Sequence, residues 1–142
     1  MGKILGLDLG TRTLGIAISD VSGWYAYGLE NFRFEEGNYQ KAAHHAIEIV
    51  QKEQIQVVCL GLPLNMNGTM SPRAESALRF KEELLALCPN IKVEMIDERW
   101  TTKIATNRLL EANLSRNKRK KVIDQQAAVV ILETYLAQKG KE

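Results

Sequence analysis

Leu7-Asp8-Leu9-Gly10-Thr11-Arg12 decides the architecture. It places a carboxylate inside the apolar run Ile4 to Leu9 and follows it at once with a glycine turn. A buried carboxylate is costly unless it is protonated, paired or bound to a cation. Asp8 is therefore either a ligand for a hard cation such as Mg²⁺ at the end of a central strand or an Asp that hydrogen-bonds the turn after it. Downstream of the turn, Leu14 to Ser19 reads as a second strand, close enough to pair antiparallel with the first. An aromatic-rich stretch from Trp24 to Phe34 reads as a third extended segment.

The pattern then changes period. Ala42, Ala43, Ala46, Ile47 and Val50 recur at helical spacing, so Tyr39 to about Gln54 is an amphipathic helix. Val57 to Leu62 is a short apolar strand, and the polar stretch Asn65 to Ser71 with Asn67-Gly68 is a loop. Pro72 suits the first turn of a helix, whose inner face is marked by Ala74, Ala77, Leu78, Leu84 and Leu85 and which stops at Pro89-Asn90. Ile91 to Ile96 alternates as a strand. Thr101 or Thr102 can cap a helix buried through Ile104, Ala105, Leu109 and Ala112. After a basic stretch, a last helix runs from about Lys121 to Gln138. Three strands followed by strand and helix in alternation predict an α/β fold, a mixed sheet with helices packed on it. No internal repeat or linker divides residues 1–142, so a single domain is expected.

Composition sets wide bounds. The chain has 142 residues, 45% of them hydrophobic and 25% charged, with a net charge of +2; these values suit a globular domain with a substantial core. Cys59 and Cys88 lie in no zinc pattern and read as reduced core thiols, consistent with a cytoplasmic protein. The start passes directly into a strand without a signal peptide, and no apolar run reaches membrane-spanning length. No membrane partner is expected.

Further carboxylates stand where they could join Asp8. Asp97 and Glu98 leave the strand Ile91 to Ile96. Asp124 lies near the start of the last helix, in step with Ala128, Ile131 and Tyr135 on its packed side. Acids meeting at one sheet edge repel each other unless cations neutralise them, which is the arrangement of two-metal phosphodiester chemistry. Individually, Asp97-Glu98 would also suit a solvated strand end, and Asp124 a first-turn acid favoured by the helix dipole.

Four pieces in order then give a resemblance: Leu7-Asp8-Leu9-Gly10 with Gly15 and Ile16; Gly61-Leu62-Pro63-Leu64-Asn65 with Asn67-Gly68; Asp97-Glu98-Arg99-Trp100-Thr101-Thr102; and Asp124-Gln125-Gln126-Ala127-Ala128 leading to Ile131-Leu132. Together they resemble the YqgF (RuvX) family of RNase H-like nucleases, relatives of the RuvC Holliday-junction resolvases, over nearly the whole chain. The resemblance implies an RNase H-like fold: a mixed five-stranded sheet, three strands antiparallel and then two parallel, with helices on both faces. It implies catalytic acids at Asp8, Glu98 and Asp124, with Asp97 as a further ligand candidate, holding Mg²⁺ or Mn²⁺. It also implies action on structured RNA, in maturation of the 5′ end of the 16S ribosomal RNA precursor, or on branched DNA at four-way junctions. The chain departs from the related resolvases at Gly61-Leu62-Pro63, a strand that carries no acid where they are expected to have one.

Positive charge lies near these acids. Arg116-Asn117-Lys118-Arg119-Lys120-Lys121 has five basic residues in six just before Asp124. The run is either a solvated segment or a phosphate-backbone contact. Arg12, Arg73 and Arg99 could add phosphate contacts, and Asn65 to Ser71 is long enough to face a substrate. Trp100 could stack a base or pack near a helix start. His44 and His45 read as surface residues.

Two rivals remain. Asp8-Leu9-Gly10-Thr11 resembles the phosphate hairpin of actin-like and sugar-kinase ATPases, but 142 residues supply only one of the two lobes such enzymes close over a nucleotide, and no P-loop is present. A non-catalytic RNA-binding assembly factor is the other rival. The expectation is a cytoplasmic Mg²⁺- or Mn²⁺-dependent endonuclease, a monomer or weak homodimer. Asp8, Glu98 and Asp124 hold metal, and Arg12, Arg99 and the 116–121 run position phosphates.

Overall fold

A computed structural model describes residues 2–99 and 116–139, with side chains from 116 to 125 left aside. Strands β1 (Ile4–Leu9), β2 (Thr13–Ser19), β3 (Ala26–Arg33), β4 (Val57–Leu62) and β5 (Lys92–Asp97) form one sheet in the order β3-β2-β1-β4-β5. The first three pair antiparallel, and β4 and β5 join in parallel, as expected. Helices α1 (Tyr39–Glu53), α2 (Pro72–Leu87) and α3 (Arg116–Lys139) complete the described elements.

Period-two alternation sorts the strands into two faces. Leu5, Leu7 and Leu9 of β1, with Leu14 and Ile16 of β2 and Val58 and Leu60 of β4, pack against the buried faces of α1 and α2. Ile4, Ala17, Cys59 and Ile96 point the other way, onto Ala128, Ile131 and Leu132 of α3. That second face is built from small residues so that α3 can approach closely. A Cβ on Gly6 would lie 2.9 Å from the Ala128 carbonyl oxygen and 2.9 Å from Leu132 Cβ.

Local chemistry sets the ends of the elements. Ser71 caps α2 by accepting a hydrogen bond from the Ala74 amide at 3.0 Å, with Pro72 in the first turn. Asn38 caps α1 in the same way, and α1 ends at Gln54 in the left-handed region, φ 55°. Asp20 organises the β2–β3 connection: its Oδ1 accepts from the Trp24 and Tyr25 amides at 2.8 and 3.1 Å. The Ser22 hydroxyl donates to its other oxygen, and these bonds hold Asp20 below the usual carboxylate range.

Three expectations need correction. Leu78 is exposed, and Phe80 instead fills the α2 inner face, because 3.6-residue spacing from Ala77 and Leu84 favours position 80. His45 is half-buried: it stacks on Phe32 with ring centroids 3.9 Å apart and pairs with Glu30. The last helix already includes Arg116, so the basic run is helical rather than a segment preceding the helix; Lys and Arg are good helix formers, and nothing in the run breaks one. Trp100, Thr101, Thr102 and the helix expected through Ala112 lie outside the described residues.

Candidate active site

The α3 face carries the acids. Asp8 pairs across β1–β2 with Gly15, and β4 runs alongside β1 with Leu7 opposite Leu60, which sets Asp8 level with Gly61. In β5, Ile96 shares the α3 face, so Glu98, two residues on, leaves the strand on that face as well. Its backbone amide donates to the Leu62 carbonyl at 3.2 Å, which fixes the turn. The outcome is contact: the Asp8 and Glu98 side chains are hydrogen-bonded to each other. Glu98 is only 7% exposed. Burial, and then the neighbouring Asp8 carboxylate, push Glu98 up to about 8, while the Arg73 charge partly opposes the rise.

Gly61 makes this possible. A Cβ there would clash with the Glu98 carboxylate, lying 2.9 Å from its Cδ and 2.7 Å from Ile131 Cδ1. The strand that carries no acid thus leaves the volume that the acid of the next strand fills. Sequence reasoning noted the missing acid but not this consequence; the available signal was a glycine interrupting the apolar run Val57 to Leu62.

Asp124 lies on α3, and its side chain is outside the described residues. Backbone register still places it. Ala128 and Leu132 sit over Gly6, and Lys139 lines a small cavity with Gly2, Lys3 and Ile4, so α3 runs antiparallel to β1. From Gly6 to Asp8 the strand advances about 7 Å, and one helical turn back from Ala128 covers about 6 Å. Asp124 is that turn back, on the helix face of the buried Ala128 and Ile131.

Asp97 is turned away from the pair. Arg99 holds it: Arg99 Nε donates at 2.8 Å, and the Arg99 backbone amide at 3.0 Å. This bonding keeps Asp97 below the usual carboxylate range. The same Arg99 lies 3.5 Å from the Met66 carbonyl, which ties the β5 exit to the β4–α2 loop. That loop is also bonded to itself: the Asn65 side chain donates to Thr69, Asn67 Oδ1 accepts from the Thr69 amide, and Ser71 reaches the Pro63 carbonyl at 2.5 Å.

The other basic candidates are already engaged in part. Arg73 donates to the Leu9 carbonyl at 3.0 Å, tying the start of α2 to the end of β1. Arg12 pairs with Glu36 at 3.1 Å on the surface. The residues 116–121 form the first turns of α3, and their side chains are outside the described residues. Among the described residues no three His, Cys, Asp or Glu side chains gather as a metal cage; the buried acid pair supplies two carboxylates. Its hard oxygens and mutual repulsion are the donor chemistry a divalent cation relieves.

Comparison with known proteins agrees with this geometry. The family profile RuvX, described as Holliday junction resolvase, matches residues 2–138. Relatives from Staphylococcus carnosus and Staphylococcus aureus named "Putative pre-16S rRNA nuclease" are 49% identical over 134 residues, 94% of this chain and 94% of theirs. Among solved structures, Thermus thermophilus RuvC in complex with a Holliday junction superposes with a TM-score of 0.61 at 13% identity, covering 99% of this chain and 97% of that one. The fowlpox virus resolvase gives a TM-score of 0.62 at 14% identity, covering 96% and 98%. At such identities these likenesses show the fold, which is that of the RuvC-type, RNase H-like resolvases. The chain belongs to the RuvX family.

Proposed function

We propose that this chain is a metal-dependent endonuclease that hydrolyses phosphodiester bonds in structured RNA, in maturation of the 5′ end of the 16S ribosomal RNA precursor. The observation that carries the reading is the buried, hydrogen-bonded Asp8–Glu98 pair over Gly61. Support for the substrate comes from the names of relatives 49% identical over nearly the full chain. Asp8, Glu98 and Asp124 would hold Mg²⁺ or Mn²⁺. When bound, such ions activate the attacking water and stabilise the leaving oxygen.

The chain's own residues do the rest. The ends of β1 and β5 fix Asp8 and Glu98 on one face. Burial and the neighbouring Asp8 carboxylate raise Glu98, so the pair resists carrying two negative charges until a cation is bound. Arg73 lowers the cost of ionising Glu98. The basic first turns of α3 bring positive charge to the helix that carries Asp124, which suits holding a phosphate backbone. In this reading residues 1–142 act as one cytoplasmic domain, a monomer or weak homodimer.

The RuvX description favours a second reading, resolution of four-way DNA junctions. Symmetric cutting there needs two active sites and therefore a dimer. Purified chain incubated with a 16S precursor 5′-end RNA and with a four-way DNA junction, with and without Mn²⁺, tests both. Metal-dependent cutting of the RNA that Asp8→Asn abolishes is the expected result. Cutting of the junction alone favours the second reading, and no cutting of either leaves a binding factor.

A further inference from the structure

On β3, Gly15 pairs with Asn31 while its other neighbour is Asp8. Directly opposed residues share a face, so Asn31, Gly15 and Asp8 form a row across the sheet on the α3 side. The middle residue has no side chain to separate the outer two. Asn31 Oδ1 is buried, like Asp8 Oδ1 in the same row. Two residues further along β3, on the same face, the exposed Arg33 ends the strand opposite Thr13. Arg12, Arg73 and Arg99 each meet a protein oxygen. Arg33 forms no ion pair among the described residues.

We propose that the end of β3 is a binding track for the nucleic-acid strand: Arg33 takes a backbone phosphate and Asn31 hydrogen-bonds the same strand between Arg33 and the acids. The proposal rests on the nuclease reading and deepens it. Two strand spacings, roughly 10 Å, separate β3 from β1, so the phosphate at Arg33 is not the one cut at Asp8 but a near neighbour along the strand. A cation is what that position needs. The acid pair repels a polyanion, and a charge on the neighbouring edge strand offsets this without neutralising the acids themselves. An amide suits the intermediate position, because it can donate to a phosphate oxygen or exchange hydrogen bonds with a ribose hydroxyl and adds no charge.

The test is equilibrium binding of the full-length chain, in EDTA so that nothing is cut, to a fluorescein-labelled single-stranded RNA and to the DNA of the same sequence over a range of salt. Arg33→Ala should weaken both several-fold and make the slope of log affinity against log salt shallower by about 0.7, one single-strand phosphate contact. Arg33→Lys should recover most of that slope. Arg79→Ala, an exposed arginine on α2 across the sheet, should leave the slope unchanged. Asn31→Ala should weaken binding with no change in slope. A loss equal on RNA and DNA assigns Asn31 to phosphate, and a larger loss on RNA assigns it to the ribose; either supports the track. Thermal melts of each variant separate binding from folding. If wild type binds and cuts RNA while Arg33→Ala keeps the wild-type slope and affinity, the track is overturned and the nuclease reading stands. If wild type binds neither strand, the track falls, and the nuclease reading is decided by the Mn²⁺ cleavage test above.

Discussion

The two faces of the sheet are made from alternate residues of the same strands, and they are built to opposite ends. Toward α1 and α2, β1 presents Leu5, Leu7 and Leu9, all buried in one apolar cluster. Toward α3 the same strand presents Ile4, Gly6 and Asp8, and its neighbours add Gly15, Ala17, Cys59 and Gly61. The first face is filled by large side chains. The second is carved out by glycines, and two acids occupy the space. A strand thus separates stability from chemistry by parity alone, because neighbouring residues point to opposite sides. Neighbouring substitutions should consequently have unrelated effects, which is how the comparison can be broken.

The largest contrast is between adjacent residues. Asp8→Asn should lower metal-dependent cleavage by about three orders of magnitude, the scale seen when a charge-stabilising group is removed from an active site. It should leave the metal-free protein as stable or more stable, since one of two touching carboxylates loses its charge. Leu7→Ala should do the reverse, destabilising the chain by about 2–5 kcal/mol while the folded fraction cuts at nearly the wild-type rate. Denaturant unfolding and cleavage assays on both variants check this. A stable Leu7→Ala that is also inactive would show that the faces are coupled.

Next in size is Gly61→Ala. The added methyl meets Ile131 and Glu98 on the functional face, so overpacking should cost about 1–3 kcal/mol and displace Glu98. Both stability and cleavage should fall, unlike the split seen at positions 7 and 8. Unchanged cleavage would mean that Glu98 has room elsewhere and that the glycine matters only to the packing of α3.

A smaller effect is expected from pH. Glu98 has an ordinary value of 4.5 and stands at about 8 in the folded chain. Between those values the folded state keeps a proton that the unfolded chain has released, so stability falls as pH rises through the window and the full penalty is present above about 8. In EDTA the melting temperature should drop from pH 5 to pH 8.5. Glu98→Gln should flatten that profile. Added Mg²⁺ should raise the wild-type melting temperature most at the alkaline end, where both carboxylates are ionised. A flat wild-type profile in EDTA would mean that Glu98 is not held in the buried pair.

Much of this was legible in the sequence, for a specific physical reason. Asp8 is visible because an acid within Ile4 to Leu9 violates the apolar pattern, and violations mark function. The sheet order follows from a short turn after β1 and helical crossovers later. Glu98 was visible as an acid at a strand exit. Its meeting with Asp8 was expected; what could not be read was that β4, lying between β1 and β5, brings Gly61 to the register where the Glu98 carboxylate fills the space a side chain would take. Phe80 was legible from its spacing to Ala77 and Leu84 and was passed over in favour of Leu78, whereas His45 was not, because its stacking on Phe32 exists only once α1 packs on the sheet. Asn31 and Arg33 were missed because their closeness to Asp8 exists only through the β2–β3 pairing, which a bulge at Ile16/Ala17 shifts out of simple hairpin counting.

The finest test of the two-face comparison is Asp97, the acid beside Glu98. Parity sends it to the other side, where Arg99 donates to it through both side chain and backbone. The sequence offers Asp97 beside Glu98 as a further ligand candidate; the structure gives Glu98 to the pair and Asp97 to a loop tie. Asp97→Asn should therefore leave the Mg²⁺-dependent rise in melting temperature intact and change kcat by no more than about twofold, as for surface substitutions away from a site. Its effect should appear in substrate binding. Freed from Asp97, Arg99 loses its fixed position near the Met66 carbonyl, and the loop from Asn65 to Ser71 is held less firmly beside the site, so KM should rise modestly. A second, smaller consequence follows from charge. Asp97 contributes to the rise at Glu98, so its neutralisation should lower the Glu98 value and move the pH profile of metal-free stability toward acid. If Asp97→Asn instead removes the metal response as Asp8→Asn does, Asp97 is a metal ligand, and the Arg99 pairing is exchanged for the cation whenever metal binds.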